Sequence, residues 1–240
     1  MTRNFGKSFF SVPKSQYSLY FLRGNDQREL NLSHEKEILN LVEKSDLKTS
    51  SFIYNSYEAK RKYRAWTRTL PWIKPHYAIK ANPAQPLLQD LIQEGSNFDC
   101  ASKTELELLL NQGVKSTDLV YSNPIKDEND LEWAAKNKIQ ITTADSIDEL
   151  RKIKEIAPKM KILWRLAIKE DAGDNLATPF SGKFGDDLDT AEKMHDRMQE
   201  IKKMGINLSG IHFHCGSGHH GSSAFERAVL TARQCMTIGR

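Results

Sequence analysis

The residues best able to do chemistry sit in short stretches, the first being Pro75-His-Tyr-Ala-Ile-Lys-Ala-Asn82. His76 to Ile79 reads as a strand from its aromatic and β-branched content, and Ala81-Asn82-Pro83 breaks it. Lys80 is thus expected at the end of a buried strand. A lysine charge buried there needs a partner, or the amine is neutral. A neutral amine is a nucleophile that forms Schiff bases with carbonyl compounds. The plainer alternative is a lysine that ends a strand and reaches water. A second stretch is Ile211-His-Phe-His-Cys-Gly-Ser-Gly218, whose alternation sends His212 and His214 to one face. Gly216-Ser217-Gly218 lets a backbone approach an anion such as phosphate closely. The His-x-His pair also suits a metal, but no third ligand lies at a matching spacing, so none is expected. A buried, hydrogen-bonded histidine beside a tight turn is the plainer reading. Arg165 lies within Leu163-Trp-Arg-Leu166. A buried guanidinium stays charged and needs an acid or a phosphate, and a structural salt bridge would serve equally. Asp99, between Phe98 and Cys100, raises the same question with the opposite sign. Lys183-Phe-Gly185 adds a lysine in a turn, ordinarily a solvated one.

These residues need elements to hold them. Upstream, residues 1–33 are polar with scattered aromatics and no structure is assigned to them. A helix is expected from His34 to Val42, a strand from Ser50 to Tyr54, and a surface helix from Ser56 to Leu70 with a Tyr63, Trp66, Leu70 stripe. Beyond His76, strands and helices alternate. The expected strands are His76 to Ile79, Asn97 to Ala101, Leu119 to Asn123, Ile139 to Thr143, Lys161 to Ile168 and Leu208 to His214. The expected helices run from Pro86 to Gly95, Ser102 to Gly113, Asp127 to Lys136, Asp145 or Ser146 to Ile156, Asp187 to Met204 and Ser222 to Ile238. Ser102-Lys-Thr-Glu105 is a capping-box pattern. Such repetition makes an α/β fold, either an open doubly wound sheet or a (β/α)₈ TIM barrel. No Gly-x-Gly-x-x-Gly follows the first strand, which favours the barrel. A barrel would gather Lys80, Asp99, Asn123, Asp145, Arg165 and His214 on the C-terminal rim, as a ligand site requires.

Composition narrows the function classes. Of 240 residues, 39% are hydrophobic and 28% charged, which suits a globular chain. The net charge of +4 is interspersed and makes no case for nucleic acid. No apolar run approaches the roughly 20 residues of a membrane span, and no apolar segment follows Arg3 and Lys7 as a secretory signal would require. Three cysteines, Cys100, Cys215 and Cys235, lie far apart without metal-type spacing, as in a reducing, cytoplasmic protein.

Tyr77-Ala-Ile-Lys-Ala-Asn82, Phe98-Asp-Cys-Ala-Ser102, Val120-Tyr-Ser-Asn-Pro124, Lys183-Phe-Gly185 and Phe213-His-Cys-Gly-Ser-Gly218 occur in this order at barrel-like spacing. Together they resemble the alanine-racemase-fold pyridoxal-phosphate decarboxylases of basic amino acids and diaminopimelate. The Phe-Asp-Cys-Ala-Ser and Tyr-Ser-Asn-Pro stretches are most similar to the eukaryotic ornithine decarboxylase branch. The resemblance runs from about Phe52 to Arg240. It implies that Lys80 carries pyridoxal 5'-phosphate, that His214 stacks on its ring, and that Ser217 binds its phosphate. It further implies that Asp99, Arg165 and Ala78 line the cofactor pocket, that Glu105 is an acid near the lysine, and that Asp145 and Lys183 make salt bridges across a homodimer. The implied reaction is decarboxylation of a basic amino acid, L-ornithine to putrescine first, in polyamine biosynthesis.

The family barrel has eight strands and a C-terminal β domain, against six strands here. The expected organisation is an N-terminal extension over residues 1–49 and an incomplete pyridoxal-phosphate barrel over 50–240, with the β domain absent. A fragment inactive on its own is therefore expected. Two other readings compete: a non-catalytic homologue acting as a binding regulator, as an antizyme inhibitor does, and a single-domain pyridoxal-phosphate carrier. Retention of Lys80, Arg165 and His214 argues against the regulator. The carrier would need eight strands and a C-terminal phosphate loop.

Overall fold

The computed structural model describes residues 18–22, 51–168, 184–216 and 222–239. The helix expected from His34 to Val42, and the candidate residues Lys183 and Ser217, lie outside them. The chain divides into two compact units, Met1–Pro75 with Asn82–Ser96, and His76–Ala81 with Asn97–Arg240.

In the first unit, β1 (Ser18–Leu22) runs parallel to β2 (Ser51–Asn55). The sequence reading assigned no structure to β1; its alternating Leu19, Phe21 pattern is too short to stand out without its partner. Helix α1 (Ser56–Thr69) follows directly, its start capped by Asn55, whose side-chain oxygen accepts from the amides of Tyr57 and Glu58. None of its residues is buried, so the Tyr63, Trp66, Leu70 stripe is no core seam. Instead polar contacts tie α1 to α2 (Gln85–Gln93): Lys60 pairs with Asp90 at 3.1 Å and Arg64 with Glu94 at 2.6 Å, while Tyr54 donates to Asp90 at 2.7 Å.

The second unit holds the sheet. Its strands are β3 (His76–Ala78), β4 (Asn97–Cys100), β5 (Leu119–Tyr121), β6 (Ile141–Ala144), β7 (Lys161–Leu166) and β8 (Leu208–Phe213). All six pair in parallel and lie side by side in chain order. A doubly wound sheet reverses its order at a switch point, whereas a barrel advances steadily round one axis. The monotonic order is thus the winding of a (β/α) barrel, as the sequence reading expected. Five helices alternate with or follow these strands: α3 (Lys103–Asn111), α4 (Glu128–Lys136), α5 (Ile147–Ile156), α6 (Ala191–Lys203) and α7 (Ser223–Ile238).

Period-two alternation sorts the sheet into two unlike faces. One carries Phe98, Cys100, Leu119, Tyr121, Ile162, Trp164 and Leu166, all buried. The core also takes the helices' apolar stripes, such as Leu106 and Leu109 on α3, Leu150 and Ile153 on α5, and Met194, Met198 and Ile201 on α6. The opposite face is richer in polar groups. Register places Ala78 beside Asp99, Asp99 beside Val120, Thr143 beside Leu163, and Arg165 beside His212. Alternation adds His76, Asn97 and Ser122 to it, and Asn97 Nδ2 lies 3.2 Å from His76 Nε2.

Candidate functional site

Strand β3 ends earlier than its sequence suggests. The pairing stops at Ala78, and Ile79–Ala81 form a single 3₁₀ turn. Ile79 is buried, and it anchors a turn on which Lys80 is exposed. The strand expected to run to Ile79 therefore ends one residue sooner, and Lys80 stands as the plainer alternative had it, in reach of water. Asn82-Pro83 closes the strand within three residues, and a turn replaces the last pleat. The amine emerges at the C-terminal edge of the sheet, where barrel chemistry is sited.

Asp99 follows on β4 and faces the same way as Ala78, its register partner. The Ser122 hydroxyl, just past β5, donates a short hydrogen bond to the Asp99 carboxylate. Sequence reading singled out Asp99 but gave Ser122 no role; the Tyr-Ser-Asn-Pro stretch was its only signal. Glu105 sits in the first turn of α3. Its carboxylate accepts from the Ala101 amide at 2.5 Å, and its own amide donates to the Ser102 hydroxyl at 3.3 Å. This is the predicted capping box with the acid reaching one residue further back. Asn123, another rim candidate, accepts from the Ile125 amide at 3.2 Å and serves as a turn residue.

Arg165 and His212 occupy paired positions on β7 and β8. Arg165 is only 8% exposed, and burial pushes its pKa down against the pull of Asp145 and Asp99. No hydrogen bond holds its side chain among the described residues, and its Nε is buried without a partner. The Phe184 ring is what covers it, with the guanidinium carbon 5.2 Å from the ring centroid. His212 Nδ1 is likewise buried and unpartnered. Burial first, then the Arg165 charge, drives its pKa down to about 4, so the ring is neutral at pH 7. Asp99 opposes this, while His214 and Lys80 add to it, which places all five groups within electrostatic reach. His214 is half-buried just beyond β8. Cys215 follows it into a small apolar cluster with Ala224 and Ala228 of α7.

The Lys183-Phe-Gly185 turn is better built than its sequence suggests. Gly185 has φ +105, and an added Cβ would lie 2.4 Å from the Ala167 nitrogen. Only glycine fits that approach. Its amide donates to Asp145 at 2.8 Å. The next residue, Asp186, bonds along β7, its amide donating to the Arg165 carbonyl at 2.9 Å and its carbonyl accepting from Ala167 at 3.0 Å. Its carboxylate accepts from Trp164 Nε1 at 3.1 Å and from Arg197 Nε at 2.8 Å. Phe184 is thus delivered over Arg165 by a fixed loop end.

The sequence reading missed Lys126 altogether. Its ammonium is fully buried, 2.8 Å from Glu149, and donates to the Asn123 and Thr143 carbonyls at 2.9 and 2.7 Å. Lys152 flanks the same carboxylate at 2.6 Å. In Pro124-Ile-Lys-Asp-Glu128 the lysine reads as solvated, and no local signal marks it.

A barrel-wound parallel sheet whose polar face ends in an amine, a guanidinium and two imidazoles defines a domain suited to an anionic carbonyl ligand. Residues 57–240 match the family model described as pyridoxal-dependent decarboxylase, pyridoxal binding domain, and the chain belongs to that family. It is 35% identical over 184 residues to an ornithine decarboxylase of Saccharomyces cerevisiae, a match covering 77% of this chain and 38% of the relative. It is 32% identical over 198 residues to antizyme inhibitor 2 of Xenopus laevis, covering 82% and 42%. The fold resembles the Paramecium bursaria Chlorella virus arginine decarboxylase bound to agmatine, with TM-score 0.78, 26% identity and coverage of 85% and 54%. The chain therefore spans about two fifths of the length of these curated relatives.

Pyridoxal phosphate is the cofactor of this family, and the residues present fit it. Lys80 offers an accessible primary amine to the carbonyl. The buried, unpartnered Nε of Arg165 and Nδ1 of His212 offer polar atoms that the protein itself does not satisfy.

Proposed function

We propose that this chain is the cofactor-binding portion of an enzyme that decarboxylates a basic amino acid, with L-ornithine as the first candidate substrate and putrescine as product. The observation that carries the reading is the convergence of Lys80, Asp99, Arg165, His212 and His214 at the C-terminal ends of one barrel-wound sheet. Similarity to ornithine and arginine decarboxylases supports the substrate class. The cofactor, when bound, supplies the electron sink for the pair of electrons left by departing CO₂.

The chain's own residues do the holding. Lys80 would hold the cofactor through its carbonyl. His214 would support the ring, and Ser217 would hold the phosphate. Ala78 would line the pocket, and Arg165 would supply a positive charge for anionic oxygen. Asp99, braced by Ser122, balances the cationic face, and Glu105 fixes the end of β4 through the Ala101 amide. Asp145 and Lys183 are proposed as contacts of a homodimer. Residues 50–240 are read as one barrel domain preceded by an extension. Three buried free thiols fit a cytoplasmic protein.

Reduction of the pyridoxal phosphate-loaded protein with borohydride, followed by peptide mapping, tests the reading. Label on Lys80, lost in Lys80→Ala, is expected, together with CO₂ release from ornithine, lysine or arginine by the full-length protein. Similarity to an antizyme inhibitor supports a second reading, a binding regulator. Absence of label, with tight antizyme binding, would favour it.

A further inference from the structure

Among the described residues, Lys138 is the one residue other than glycine with a left-handed backbone, at φ +61. It closes α4 in a Schellman turn. Its amide donates to the Ala135 carbonyl and the Ile139 amide to the Ala134 carbonyl, both at 3.0 Å. Helices α2, α3 and α6 close at the same position on Gly95, Gly113 and Gly205, at φ +82, +85 and +63. A side chain at such a φ crowds its own backbone, so glycine is the unstrained choice. Lysine at this turn works against the fold, and a residue that breaks a local rule points to a use for its side chain.

Lys138 lines a cleft of about 700 Å³ between the loops that lead into β6 and β7. Ile139, Ala157 and Met160, each 3–4% exposed, give the cleft an apolar floor. Lys159 and Lys161 line it with Lys138, and no carboxylate does. No ion pair or side-chain hydrogen bond holds any of the three lysines among the described residues. The C-terminal ends of α4 and α5 border the cleft and draw some of this charge. Together they bring only about one negative charge against three positive ones. The cleft therefore keeps a surplus of cations over an apolar floor. It sits at the N-terminal ends of the strands, the opposite end of the sheet from Lys80.

We propose that this cleft is a binding site for a small amphiphilic anion, an acidic head on an apolar body. The body lies on the Ile139, Ala157 and Met160 floor, and the head is held among Lys138, Lys159 and Lys161. The volume suits one small molecule. Lys138 keeps its strained backbone because glycine there would remove one of the three cations. The site shares no residue with the cofactor site and does not depend on the pyridoxal phosphate reading.

The test is a titration of decanoate, and separately of anilinonaphthalene sulfonate, into the full-length protein carrying ¹³C-methyl methionine. The Met160 methyl signal, assigned through Met160→Leu, reports the cleft itself. A saturable shift of that signal is expected with decanoate, and about tenfold weaker binding of decanol, which has the chain without the charge. Lys138→Gly should weaken decanoate about threefold to tenfold while raising the melting temperature by about 2–4 °C, since the turn is relieved. The Lys159→Gln, Lys161→Gln double variant should weaken it about tenfold with the melting temperature unchanged. Failure of both probes to shift Met160 overturns the proposal, as does equal binding of decanol and decanoate. Lys138→Gly protein that binds decanoate as tightly as wild type, or that melts lower, overturns the role given to Lys138.

Discussion

Lys126 and Arg165 are two buried cations in one α/β unit, and their surroundings are opposite. Lys126 has three N–H donors and three acceptors around them: Glu149, the Asn123 carbonyl and the Thr143 carbonyl. Arg165 has five donors by its chemistry, yet no hydrogen bond holds its side chain among the described residues. Among the described residues, the Phe184 ring and the more distant Asp99 and Asp145 charges balance it. A buried ion whose bonds are all made internally serves the fold, here by tying the loop after β5 to β6 and α5. A buried ion left unsatisfied is a standing cost to the fold, and its retention makes sense where a ligand completes it.

Four perturbations sharpen or break this contrast. The largest effect belongs to Lys126→Met, which strands the Glu149 carboxylate in the core. A loss of about 3–5 kcal/mol is expected in chemical denaturation, and a loss under about 1 kcal/mol, the size of a surface pair, would mean that the network is not structural. Next is the acid limb set by His212. Its folded pKa lies near 4, below the usual 6.5, so the unfolded chain binds more protons between those values. Its contribution is therefore fully present above pH 6.5 and lost as pH falls through about 4, by about 3 kcal/mol in total. His212→Gln should flatten that limb in denaturation curves compared at pH 7 and pH 4. Gly185→Ala comes third: the strained φ and the clash with Ala167 should cost about 1–3 kcal/mol and loosen Phe184 from Arg165, seen as weaker cofactor binding. The smallest effect on stability is expected from Arg165→Met. Removing an unsatisfied buried cation should leave stability within about 1 kcal/mol of wild type, or raise it, so a melting-point drop as large as that of Lys126→Met would erase the contrast.

The same contrast explains what the sequence could reveal. The six strands and the helices between them were legible because apolar residues at periods of two and near 3.6 are forced by burial on one side of each element. The strand order was not in the periodicity; it needed the register, which alone separates a barrel from a doubly wound sheet. Arg165 stood out because a charge inside an apolar run must find an acid or a phosphate. Lys126 did not, since its partner Glu149 lies 23 residues away and the charged Asp127 and Glu128 follow it directly. His212 was placed on the right face by alternation, but its unpartnered nitrogen depends on β7 lying beside it. Lys80 was placed at the strand end with its exposure left open, and the turn that carries it was not legible, because a 3₁₀ turn and a final pleat look alike in Ala-Ile-Lys-Ala. The strand Ser18–Leu22 escaped notice because only its pairing with Ser51–Asn55 gives it meaning.

Equilibrium titration of pyridoxal phosphate into wild type and Arg165→Met protein, with folding checked on the same samples, bears most directly on the idea that Arg165 is held for a ligand. At least tenfold weaker binding by a variant of unchanged stability is the predicted result. Equal affinities would contradict it and leave Arg165 as a buried charge without a ligand to complete it.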